Sequence, residues 1–82
     1  MTKSSDILLS LQHHDLEVWK VDDIVFVAYH KADIKDGIFL VSASGSGPDF
    51  ESACDDYLSK IRGKTLVFRP FDGEREEVTI LG

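Results

Sequence analysis

Three histidines, one cysteine and several close carboxylate pairs are the residues that could do chemistry in this chain, and their spacing argues against most of it. His13, His14 and Asp15, with His30, supply the atom types that ligate metals. Adjacent histidines, however, do not share a helix face as residues four apart do, and histidine at a helix end suits the dipole without any metal. Cys54 falls inside an apolar stripe, whereas a nucleophilic thiol needs an exposed, electropositive site that lowers its pKa, so core packing is expected. Gly45-Ser46-Gly47 ahead of a helix has the outline of an anion cradle. It lacks the lysine of a P-loop and the third glycine of a dinucleotide fingerprint, and Asp49 and Glu51 would repel a phosphate; a structural turn is expected instead. Asp55 with Asp56, and Asp33 with Asp36, lie in no apolar pocket that would split their pKa values, which makes them solvated faces. Ser42, Ser44 and Ser46 lack a nucleophile-elbow pattern. The expectation is a chain with no catalytic residues, no metal and no cofactor.

Binding residues are the alternative. Trp19, Tyr29 and Phe71 are large aromatics expected at strand or loop edges, where interfaces find their anchors. Lys60, Arg62, Lys64 and Arg69 form a local basic strip, a candidate contact for phosphate or an acidic partner, although bases near a helix C-terminus also complement its dipole.

The elements that must position these residues are legible in outline. Ser4 to His14 reads as a short helix, with two serines as potential N-caps, Asp6 in the first turn and Ile7, Leu8 and Leu11 on one face. Glu17–Val21 and Ile24–His30 read as strands around a tight Asp22–Asp23 turn, because β-branched and aromatic residues dominate both. The polar stretch from Lys31 ends in Asp36-Gly37, and Ile38–Ala43 follows as a third strand. Asp49 to Arg62 is the clearest helix: Phe50, Ala53, Cys54, Tyr57, Leu58 and Ile61 fall on one face, Glu51, Asp55, Asp56 and Lys60 on the other, with Asp49 as N-cap and Gly63 at the C-terminus. Thr65–Arg69 and Glu77–Leu81 flank a turn at Asp72-Gly73, forming a second hairpin with Pro70 at a strand end.

These elements predict an α+β fold, an antiparallel sheet of about five strands with two helices in the order α-β-β-β-α-β-β. At 82 residues the chain holds one core, and residues 1–82 form one domain. Ile24–Ala28 and Ile38–Val41 are apolar at every position, so both sheet faces need cover. Either the two helices lie one per face, or both pack on one face and the other meets a second copy or a different protein. Small size with such strands predicts a homodimer. Fifteen acidic against nine basic side chains give a net charge of −6, which disfavours nucleic acid and anionic lipid as partners. A lone cysteine, a polar start at Thr2-Lys3-Ser4-Ser5 and the lack of a long apolar run point to a reducing, cytoplasmic setting without membrane insertion.

Three segments together carry a resemblance: Asp36-Gly37-Ile38-Phe39-Leu40-Val41; Gly45-x-Gly47-x-x-Phe50-Glu51-x-Ala53-Cys54-x-Asp56-Tyr57-Leu58; and Ile61-x-Gly63-Lys64-Thr65-Leu66-Val67-Phe68. Across most of its length the chain resembles small phage and prophage proteins, particularly of Gram-positive bacteria. That resemblance implies a non-catalytic protein that binds and modulates a host factor, including as an inhibitor of host defence, and it carries over no catalytic residues. A second likeness, over Ile24 to Phe68, is to the HicB-type antitoxin core. It implies toxin sequestration or a nucleic-acid-associated module, although the loop here is shorter and no separate DNA-binding segment follows the core.

Overall fold

The structure is a computed structural model, and it describes residues 3–11, 15–69, 73 and 75–80. Two helices and seven strands run in the order α1 (Ser4–Leu9), β1 (Leu16–Val21), β2 (Ile24–Tyr29), β3 (Ala32–Asp36), β4 (Phe39–Ser42), β5 (Gly45–Gly47), α2 (Phe50–Ile61), β6 (Thr65–Phe68) and β7 (Glu76–Thr79). The α+β class stands. The strand count exceeds five, and the strands divide into a sheet of order β1-β2-β5 and one of order β4-β3-β6-β7, every pairing antiparallel.

The seven segments follow five strand paths, which reconciles the two counts. β2 and β3 form one path broken at His30 and Lys31, where Lys31 adopts φ +52° and the chain bends from the first sheet into the second. The main chain is satisfied across that break: His30 N–H donates to Asp15 O and Arg69 N–H to Lys31 O, each at 2.8 Å. β4 and β5 form the returning path, broken at Ala43 and Ser44, so that β4 pairs with β3 and β5 with β2. β3 lies in the polar stretch expected to be a connector, and β5 is the glycine segment expected to be a turn.

The first hairpin forms as expected. Asp22 and Asp23 both take left-handed φ values, 49° and 66°, the requirement of the two-residue turn that matches strand twist. α2 also forms as expected, with the Asp49 carboxylate accepting from Ser52 N–H at 2.8 Å and Gly63 at φ +77° just beyond its end. Its buried face is Ala53, Cys54, Tyr57, Leu58 and Ile61. Phe50, assigned to the same stripe, lies one turn too early and stays exposed.

α1 is shorter than expected, ending at Leu9, and its serines do not cap it: the N-cap is Lys3, without a side-chain bond. Ser5 instead donates its hydroxyl and its N–H to the two oxygens of Glu51, and Ser4 donates to Asp55. These bonds dock α1 on α2. Both helices thus lie on one side of the first sheet, α2 against β2 and β5. The core closes around Leu8, Val27, Tyr29, Tyr57, Ile61, Leu66 and Phe68.

Candidate functional site

Cross-strand partners share a sheet face, so register decides which apolar residues the helices cover. Val25, Val27 and Tyr29 turn toward α2, with Val27 fully buried. The alternate set faces away: Trp19 opposite Phe26, Val21 opposite Ile24, and Glu17 opposite Ala28. Trp19 and Phe26 stack with ring centroids 5.7 Å apart and planes 9° from parallel. Trp19 remains 41% exposed, Val21 50% and Ile24 45%. At the end of this face remote from the turn, His30 Nδ1 lies 3.2 Å from Glu17 Oε2.

Among the described residues no helix covers this face, and β1 is an edge strand. The edge of β5 is treated differently. There Asp56 accepts from Ser46 N–H at 2.9 Å and Lys60 donates to Ser44 O at 2.8 Å, while the two side chains pair with each other at 2.9 Å. Lys60 and the backbone N–H of Ser46 together hold the Asp56 carboxyl below the usual carboxylate range. Asp55 and Asp56 are therefore structural ties rather than solvated faces, and the glycine segment's one outward N–H in this network already serves a protein carboxylate. The face of the second sheet that carries Lys35 is more polar, with Lys35 paired to Glu77 and Thr65 bonded to Thr79, although Val67 on the same face is fully buried.

The expected binding residues fare unequally. Trp19 lies on the open face. Tyr29 is not at an edge: it is 2% exposed, donates its hydroxyl to Leu8 O at 2.6 Å, and meets Tyr57 and Phe68 edge to face. Its direction follows from register, since Leu16 opposes it and the bend at Lys31 comes two residues later. Phe71 lies outside the described residues, as do His13 and His14. The basic strip is split: Lys60 serves β5, Arg69 lies 3.6 Å from Glu76, and Arg62 and Lys64 flank Gly63 at the end of α2. Val21, Ile24 and Phe26 were not singled out as binding residues in the sequence; the unbroken apolar run of β2 was the signal for Ile24 and Phe26, and Val21 had none beyond its place in a β-prone segment.

Cys54 is fully buried in α2's inner face, and burial, with Glu51 and Asp55 nearby, pushes its thiol up to about 11. Burial likewise raises Tyr29 and Tyr57. Among the described residues no group of three or more His, Cys, Asp and Glu is placed to hold a metal ion, and no helix is long and apolar enough to cross a membrane. Protein-family models, curated proteins and solved structures offer no match to this chain.

Proposed function

We propose that this is a non-catalytic binding protein of the phage or prophage type, which engages a host protein through the outer face of the β1–β2 hairpin and thereby modulates it. The observation that carries the reading is the Trp19–Phe26 stack with Val21 and Ile24 left to solvent beside it. Contiguous exposed apolar patches mark interaction sites, and a rigid aromatic anchor costs little entropy on docking. β1 adds an unpaired edge next to that patch, the feature used when a partner strand extends a sheet.

Ile24→Lys, at the exposed hairpin end, separates binding from folding. Wild-type protein is expected to bind one identified host protein in purified form at micromolar affinity or better, with Ile24→Lys at least tenfold weaker and equally stable. Equal binding by the two proteins would remove this face from the function.

Self-association is a second reading, favoured by a different patch. Ile38 is 93% exposed, Phe39 68% and Val41 45%, along and beside the edge strand β4. Sedimentation equilibrium at micromolar concentration is expected to give a dimer for wild type and for Ile24→Lys, and a monomer for Phe39→Lys. A monomeric wild type ends this reading without touching the first.

A further inference from the structure

A groove of about 370 Å³ opens between α1, the end of α2 and the end of β7, away from the hairpin face. Its rim carries the half-buried Ile7 and Leu11, and its floor is the apolar core itself, Leu8, Leu58, Ile61 and Ile80, each buried. The volume falls within the roughly 300–1,000 Å³ that small-molecule sites occupy. Several polar groups line it, and most are already committed. Tyr29 donates its hydroxyl to Leu8 O, Ser10 donates to Ile7 O, and Thr79 is bonded to Thr65.

Arg62 is the exception. Its guanidinium forms no hydrogen bond or ion pair with a described residue, and it is the one charged side chain among the described lining residues. Lys64, the other base flanking Gly63, is anchored beside the groove, because Ile80 N–H donates to Lys64 O at 2.9 Å and Gly63 N–H to Ile80 O at 2.8 Å. Among the described residues no aspartate or glutamate lines the groove, in a chain where acids outnumber bases fifteen to nine. An apolar slot with a lone guanidinium at its mouth complements an anionic amphiphile: the chain enters the slot, and the carboxylate takes the planar fork that guanidinium offers.

We infer that this groove binds a free aliphatic carboxylate of medium chain length. The inference is independent of the hairpin reading, since the two sites share no residue.

Titration with decanoate, followed by amide chemical shifts, tests it on the whole chain. Saturable shifts are expected in residues 7–11, 58–64 and 79–80, with Arg62→Gln at least tenfold weaker for decanoate and little changed for decanol. Because Arg62 is exposed, Arg62→Gln should melt with the wild type, and Ile24→Lys should bind decanoate normally. Equal affinity for decanoate and decanol, an unaffected Arg62→Gln, or shifts confined to the β1–β2 hairpin would each overturn the site. Vesicles of phosphatidylglycerol present a different anion, a phosphodiester, on aliphatic chains in a membrane: the protein is expected to stay in the supernatant, and Arg62-dependent sedimentation with the vesicles would overturn the assignment to a free carboxylate.

Discussion

At the scale of single residues, backbone proximity outweighs side-chain identity. Gly45 lies so close to α2 that an added Cβ would meet Ala53 O at 2.1 Å and Tyr57 Cβ at 2.4 Å. Neither neighbour can yield, since one is helix backbone and the other a buried side-chain root. Gly45→Ala is therefore expected to cost at least about 2 kcal/mol, the penalty of an overpacked core, measured by urea unfolding. Asp23 presents the opposite case. Its φ of 66° is strained for a residue with a Cβ, so Asp23→Gly should raise stability by about 0.5–1 kcal/mol in the same assay. Cys54 carries an alkaline prediction. Its folded thiol titrates near 11 and its unfolded one near the ordinary value of about 8.5, so the unfolded state loses its proton first as pH rises. The stability tied to this thiol is complete below about pH 8.5 and is lost between there and 11. Stability measured across that window should fall less steeply in Cys54→Ala than in wild type.

At the scale of elements, α2 organises both of its neighbours through a polar face that periodicity alone reads as solvated. Glu51 and Asp55 hold α1; Asp56 and Lys60 hold β5. A six-residue helix is too short to persist by propensity, so α1 depends on this docking and on Leu8 in the core. Ser5→Ala is expected to lower hydrogen-exchange protection in residues 6–10 at least tenfold and to cost about 1.5–3 kcal/mol, the scale of a hydrogen bond to a charged group. Protection of α2's centre should change only by the global loss. Acid should act on the same contacts. Asp49 and Asp56 both titrate below the usual carboxylate range, held down by Ser52 N–H in the first case and chiefly by Lys60 in the second. The unfolded chain thus takes up protons first as pH falls, and stability is lost below about pH 4 as these carboxylates protonate in the fold. Asp49→Asn should flatten that loss in a pH series of urea unfolding curves.

At the scale of the whole molecule, both helices on one side leave the first sheet with an apolar face that no helix among the described residues covers. The second sheet carries a threonine pair and an ion pair on its Lys35 face. The β1–β2 hairpin is thus an open half, while the second sheet is open along β4, where Ile38, Phe39 and Val41 stay exposed. Trp19, the chain's only tryptophan, lies on the open half and reports on it directly. Its fluorescence in the free protein should be quenched by acrylamide, and binding at the hairpin face should shift the emission to the blue and block that quenching. Decanoate in the groove should leave the emission unchanged, which makes one tryptophan a discriminator between the two proposed sites.

Local patterns in the chain sufficed for α2, for its caps at Asp49 and Gly63 and for the first hairpin, because helix period and turn geometry are properties of neighbouring residues. They also sufficed to place Cys54 in the core. Ala32–Asp36 became a strand only because β4 and β6 satisfy its backbone from both sides, and nothing within that polar stretch encodes those partners. Gly45–Gly47 became a strand because β2 and α2 close on it, a proximity that two glycines permit and do not announce. Tyr29 went inward and Trp19 outward through register and the bend at Lys31. Pairing and cover are set by residues far apart in the chain, so the open face and the groove, which are absences of cover, emerged only when the elements were assembled.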